Sequence, residues 1–219
     1  MNFGTVTYFG KDINIYYPEN ITEAVINAIT SGRIWETKLL KYYCDIIKDG
    51  DTVLDIGGYL GTHSIAFSHL VGTGMVYTFE PQPNIFKLLS KTIEESNLQN
   101  IKLYNNAVYN KNETIEFINT QTGKASIKHI RPRLKGDIIK VDAITIDSMN
   151  ISNVKLVKID VEKGEWAVLE GMHETILKYK PIIFLETFKT NNNFTKLNTF
   201  CNKYNYSFIN IGGADFILK

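Results

Sequence analysis

The stretch Gly50-Asp-Thr-Val-Leu-Asp-Ile-Gly-Gly-Tyr-Leu-Gly-Thr-His-Ser-Ile-Ala-Phe-Ser68 decides the fold. Val53, Leu54 and Ile56 form a short, largely β-branched run, as expected of a central parallel strand covered on both faces. Asp55 interrupts that run. A buried carboxylate without a partner is costly, so its position near the strand end predicts a ligand cation or donors waiting for it. Gly57, Gly58 and Gly61 then strip side chains from a sharp turn, and a helix can begin near Thr62. Open parallel sheets bind ligands at the carboxyl ends of their strands, where this turn falls.

The turn does not match the dinucleotide pattern Gly-x-Gly-x-x-Gly, because Tyr59 stands two positions after Gly57. What survives is Asp-x-Gly-x-x-x-Gly, the usual nucleotide turn of methyltransferases that use S-adenosylmethionine; a purely structural tight turn is the alternative. Downstream, Met75 to Phe79 read as a second apolar strand with Glu80 directly after it, 23 positions beyond Gly57. Nucleotide-binding α/β folds place there the acid that accepts hydrogen bonds from ribose hydroxyls. A plainer reading makes Glu80 a helix-starting acid before Pro81. Ile101 to Tyr104 predict a third strand running into Asn105-Asn106-Ala107-Val108, where an amide can meet adenine or simply hold a turn.

Upstream, residues 5 to 16 alternate around Gly-Lys-Asp as a β-hairpin does, and Asn20 with Glu23 suggests a capping box for a helix to about Ile29. Trp35-Glu36 opens a second helix carrying Leu39, Leu40, Tyr43, Ile46 and Ile47 at helical spacing. The 219 residues, with a net charge of +1, fit one domain and exclude a general polyanion binder, so nucleic acid is not an expected partner. No apolar run approaches the roughly 20 residues of a membrane span and no signal sequence opens the chain, so a soluble, cytoplasmic protein is expected. Cys44 and Cys201 have neither metal-ligand nor disulfide spacing and are expected at core or boundary positions.

Further along, Glu113 to Ile118 and Ala125 to Ile130 resemble an inserted hairpin, followed by extended chain from Ile138. Between them Lys124, Lys128, His129, Arg131, Arg133 and Lys135 run without an acid, either as a solvated face or as a lip for an anionic acceptor. Val154 to Ile159 predict a fourth core strand ending in Asp160, with Glu162 and Glu165 beyond it and one helix carrying Trp166, Val168, Leu169, Met172 and Ile176. Three acids in six residues suggest divided labour or a cation, although Glu162 and Glu165 also suit a helix start. A fifth strand ends in Glu186, a helix runs from about Phe194 to Tyr204, and Tyr206 to Asn210 with Ala214 to Leu218 form a closing antiparallel hairpin.

Together these residues resemble the FkbM family of S-adenosylmethionine-dependent methyltransferases. The resemblance spans Trp35 to Glu186 and rests on Val-Leu-Asp55-Ile-Gly57-Gly-Tyr-Leu-Gly61-Thr-His63-Ser, Phe-Glu80-Pro81, Asn105-Asn-Ala107-Val, Ile146-Asp147 and Val-Lys158-Ile-Asp160-Val-Glu162-Lys-Gly-Glu165-Trp. It implies a Rossmann-like class I α/β fold: a seven-stranded, mostly parallel sheet with a C-terminal antiparallel hairpin, in a single domain over 1–219. Residues 1–34 would be an N-terminal extension and 113–137 an insertion. It also implies S-adenosylmethionine as cofactor, S-adenosylhomocysteine as product, and methyl transfer to a hydroxyl, often of a sugar or glycan.

On this reading the cofactor meets Asp55, Gly57, Tyr59, Gly61, His63, Glu80, Pro81, Asn106, Ala107 and Asp160. Asp160 is the expected general base, with Glu162 and Glu186 orienting the acceptor or sharing that role. The same three acids carry oxygens suited to a hard divalent cation, which the sequence does not require. Two departures stand out. The family usually has Ala-Asn at Gly58-Tyr59, so Tyr59 is expected to pack on or cover the nucleoside, and it usually has Gly where Lys163 stands. A nicotinamide dehydrogenase predicts motifs missing here. A silent nucleotide-binding subunit predicts loss of acids that are present.

Overall fold

The computed structural model describes residues 1–219. The chain opens with β1 (Asn2–Tyr8), β2 (Lys11–Tyr17), α1 (Ala24–Thr30) and α2 (Thr37–Ile46). It continues through β3 (Thr52–Ile56), α3 (Thr62–Val71), β4 (Met75–Phe79), α4 (Pro83–Glu95) and β5 (Ile101–Tyr104). Next come β6 (Ala107–Val108), β7 (Glu113–Asn119), β8 (Ser126–Ile127), β9 (Asp137–Ile144) and a 3-10 turn at Asp147–Met149. The last part holds β10 (Val154–Ile159), α5 (Glu165–Glu170), α6 (His173–Tyr179), β11 (Ile182–Glu186), α7 (Asn191–Tyr204), β12 (Phe208–Gly212) and β13 (Asp215–Leu218).

The main sheet has seven strands in the order β12-β13-β11-β10-β3-β4-β5, with β13 antiparallel to both neighbours and the β11-to-β5 portion parallel. This is the expected sheet with its closing hairpin. Strand alternation sorts side chains onto two faces. Leu54, Ile56, Val157, Ile159, Ile183 and Leu185 join Val168, Ile176 and Phe200 in one cluster, whereas Val53, Leu156 and Phe184 join Leu39, Tyr43 and Phe67 in another. The second face matters for chemistry. Asp55 pairs in register with Lys158, and Lys158 with Phe184, so both charged residues lie on the face covered by α2 and α3.

The segment expected as a hairpin is a four-stranded sheet, β6-β9-β7-β8. β7 does pair with β8, but only through Phe117–Ile127 and Ile118–Ser126; its main partner is β9, from Glu113–Ala143 to Asn119–Asp137. The predicted single helix after Asp160 is broken at Gly171-Met172 into α5 and α6. Asp147 caps the second piece from afar, accepting from the backbone N–H of Glu174 and Thr175 at 2.9 Å each. No capping box forms at α1: Glu23 is its N-cap but makes no side-chain cap bond. Cys201 is buried and Cys44 is exposed. No helix is long and apolar enough to cross a membrane.

Candidate active site

A cavity of about 100 Å³ opens at the carboxyl ends of β3, β4 and β10, where ligands of open parallel sheets bind. Gly57 and Tyr59 of the glycine turn line it, as do Glu80 and Pro81 after β4, Asn106 and Ala107 on the approach to β6, and Asp160 and Glu162 after β10. Phe117 and Ile127 of the small sheet supply an apolar wall. Four sequence-separated motifs thus meet at one void.

Glu80 is 3% exposed. One carboxylate oxygen accepts from the Tyr59 N–H at 3.0 Å and the other from the Gln82 N–H at 2.8 Å. Burial pushes its pKa up to about 7 despite those donors. A carboxylate has about four acceptor sites, so two remain for a ligand. Gln82 donates to the Thr122 carbonyl at 3.0 Å, while its Oε1 is buried without a partner. Acceptors at the end of β4, an orphaned amide oxygen and apolar walls fit the ribose and base of an adenosyl group. Asn105 holds the loop by donating to the Glu80 carbonyl at 2.8 Å, and Asn106 donates to the Asp142 carbonyl at 3.2 Å.

Tyr59 takes up φ 45°, left-handed backbone for a non-glycine residue. Its hydroxyl donates to Glu23 at 2.5 Å, and the same carboxylate receives the Gly123 N–H at 3.3 Å. Tyr59, α1 and the loop between β7 and β8 therefore form a strap at the cavity mouth. Glu23, read from sequence as a capping acid, is the centre of that strap.

Asp55 and Gly61 do not line the cavity. Asp55 is fully buried: its Oδ2 accepts from Ser64 Oγ at 2.5 Å, and Lys158 Nζ lies 4.0 Å from Oδ1. One donor is thus a hydroxyl of the chain itself, the Lys158 ammonium supplies an opposite charge nearby, and Oδ1 is left without a hydrogen-bond partner. Gly61 makes room for Leu89, since a Cβ there would lie 2.3 Å from the Leu89 side chain. His63 bonds Glu36 at 2.9 Å and lines an open groove next to the cavity, together with Lys158, Asp160, Glu162 and Glu186.

Asp160 belongs to both spaces and is gripped by Lys158, Nζ to Oδ2 3.3 Å. Burial works to lower the Lys158 pKa, but Asp160, Asp55, Glu36 and Glu186 outweigh it and hold the ammonium charged. Glu186 is raised by burial and by the Asp160 charge beside it. Glu162 lines both spaces as well, but its carboxylate pairs with Arg131 at 2.6 Å, which ties down one of the basic residues considered for an anion-binding lip. No three His, Cys, Asp or Glu side chains converge at metal-ligand spacing, so Asp160, Glu162 and Glu186 do not form the cation site their sequence suggested. Glu165 is also structural. It is buried, accepts from the Lys163 N–H at 2.7 Å, and is pushed up to about 7 by burial.

Lys158, Glu36, Gln82 and Asp215 were not among the expected site residues. Lys158 had a visible signal, a lysine between apolar residues two positions before Asp160. The other three reach the site only through tertiary packing.

The sheet order with its reversed last strand, and an acid-tipped nucleoside cavity at the carboxyl ends, define a class I methyltransferase fold. The family profile described as "Methyltransferase FkbM domain" matches residues 55–208, and the chain belongs to that family. Among solved structures the chain is similar to methyltransferase FkbM from Methylobacillus flagellatus KT, with 13% identity, TM-score 0.58, and coverage of 90% of this chain and 53% of that one. This chain thus spans about half the length of that protein. It is also similar to a precorrin-6y C5,15-methyltransferase from Geobacter metallireducens GS-15 (13% identity, TM-score 0.50, 93% and 92% covered). A putative rRNA-methylase from Clostridium thermocellum gives 12% identity and TM-score 0.50, with 83% and 92% covered. These likenesses concern the fold. No curated protein matches the sequence.

Proposed function

We propose that the protein transfers a methyl group from S-adenosylmethionine to a hydroxyl, most simply of a sugar or glycan, with Asp160 as general base. The observation that carries this is the double membership of Asp160, which lines the cavity beside Glu80 on one side and the open polar groove on the other. When bound, the cofactor supplies an electrophilic methyl carbon and leaves as a neutral thioether. Glu80 would hold the ribose hydroxyls, Asn106 and Gln82 would meet the base, and Gly57 would let the chain approach the cofactor closely. The acceptor oxygen needs alignment and loss of its proton. Asp160 Oδ would take that proton, and the hydrogen bond from Lys158 holds the carboxylate in position. Glu186, beside Asp160, shares or relays the proton.

Calorimetry with S-adenosylmethionine and NAD tests the cofactor: binding of NAD alone sinks the reading. Asp160→Asn should lower turnover by roughly 10²- to 10⁴-fold while cofactor affinity changes little. A mass-spectrometric search for products heavier by one methylene identifies the acceptor. Full activity of Asp160→Asn on that acceptor excludes it as base.

A further inference from the structure

Beyond Asp160, on the side away from the nucleoside cavity, lies a small pocket of about 10 Å³, room for one ammonium-sized group, between α2, β10, β11 and β13. Its charged lining consists of four carboxylates, Glu36, Asp160, Glu186 and Asp215, against one ammonium, Lys158. Lys158 is already committed to Asp160 at 3.3 Å and Asp55 at 4.0 Å. Glu186 and Asp215 have no basic partner, and they face each other directly across the antiparallel β11–β13 pair. Ionised together they would repel across the sheet, and burial with the Asp160 charge already pushes Glu186 up to about 8; a bound cation would relieve the same repulsion.

A second observation points the same way. Tyr43 lines this pocket, is 1% exposed, and its hydroxyl has no hydrogen-bond partner. The ring is held by Phe67 and Phe184, with centroids at 4.7 and 4.8 Å, so the hydroxyl is fixed in place. A buried hydroxyl left unpaired is destabilising, and a bound group would satisfy it. The pocket's acids do not converge at metal-ligand spacing. That spread suits an organic ammonium, whose donors point in several directions, better than a bare metal ion.

We infer that this pocket binds a primary ammonium group carried by the methyl acceptor, so that the substrate class is an amine-bearing polyol such as an amino sugar. Glu186 and Asp215 receive the ammonium, Tyr43 accepts one of its N–H bonds, and an adjacent hydroxyl of the same molecule is thereby brought to Asp160. The pocket correspondingly repels phosphorylated acceptors. This rests on the methyl-transfer reading, but it is tested without turnover.

The protein saturated with S-adenosylhomocysteine is titrated with D-glucosamine, N-acetyl-D-glucosamine and glucose 6-phosphate, followed by NMR. Saturable shifts are expected with glucosamine and not with the other two. Asp215→Asn should weaken glucosamine at least tenfold while raising Tm, because it removes the repulsion of Glu186; Tyr43→Phe should weaken it severalfold. Equal binding of glucosamine and its N-acetyl form, no binding of glucosamine, or an unaltered Asp215→Asn would each overturn the inference. The cofactor also carries an α-amino group, so S-adenosylhomocysteine is compared with its deaminated analogue in both proteins. If Asp215→Asn weakens only the amino form, the pocket serves the cofactor and the acceptor assignment is wrong. If glucosamine binds as expected but no hydroxyl is ever methylated, the methyl-transfer reading fails and the ammonium site stands.

Discussion

At the scale of single residues, Glu80 carries the most direct prediction. Its carboxylate is oriented by two backbone donors and pushed up to about 7 by burial. Only the ionised form offers full acceptor capacity to two ribose hydroxyls, so S-adenosylmethionine affinity should rise from pH 6 to pH 8. Hydrogen bonds to a charged group are worth about 1.5 to 3 kcal/mol. Glu80→Gln should therefore weaken binding by roughly 10- to 100-fold at pH 8 and flatten the pH dependence, both measurable by calorimetry. Unchanged affinity would remove Glu80 from the ribose site. Lys163 illustrates what a motif comparison leaves out. It stands where the family has glycine and still takes up φ 78°. Its N–H bond to Glu165 at 2.7 Å and its ammonium 5.4 Å from the Phe188 ring centroid help to hold that conformation.

At the scale of elements, local pattern and tertiary context diverge after Asp160. The apolar spacing from Trp166 to Ile176 continues through Gly171 and so reads as one helix. The break comes from distant parts of the chain: the Tyr109 carbonyl presses against Gly171, and Asp147 captures the N–H groups that open α6. A Cβ on Gly171 would lie 2.0 Å from the Tyr109 oxygen. Gly171→Ala should accordingly cost about 2 to 3 kcal/mol in urea unfolding, as overpacking against an unyielding neighbour does. Gly123→Ala is the control. Its added carbon meets nothing nearer than 3.8 Å, and its change should stay within about 0.5 kcal/mol. The same distinction governs the strands. β3, β4, β10 and β11 with their terminal acids were legible because run and acid are contiguous. The β7–β9 pairing, the strap from Glu23 to Tyr59 and the arrival of Asp215 beside Glu186 are contacts between distant segments, on which periodicity is silent.

For the whole molecule, the buried acids couple folding to pH. Glu80 and Glu165 are each pushed up to about 7, and Asp215 to about 6, burial being the first cause in every case. A carboxyl whose folded pKa lies above its unfolded value holds a proton in the native state that the unfolded chain has released. Stability therefore falls as pH rises from the ordinary carboxylate range to about 7. A tenfold difference in proton affinity between the folded and unfolded chain corresponds to about 1.4 kcal/mol, so the combined loss between pH 5 and pH 8 should be several kcal/mol, roughly 5 to 7. The acids held low act in the opposite sense. Hydrogen bonds from Thr73 lower Asp49, the Tyr16 hydroxyl lowers Glu95, and at Glu36 burial, the largest single cause, is outweighed by the His63 bond together with the His63 and Lys158 charges. Their contribution is present above the ordinary range and is lost as pH falls below it, which sets a stability maximum near pH 5. Urea midpoints at pH 5, 6.5 and 8 check this; a midpoint that rises across the series contradicts it. Glu165→Gln should remove part of the fall, since an amide can rest in that buried site without ionising. Saturating S-adenosylmethionine should recover stability most at pH 8, where ionised Glu80 gains ribose donors and ligand binding adds its own mass-action term.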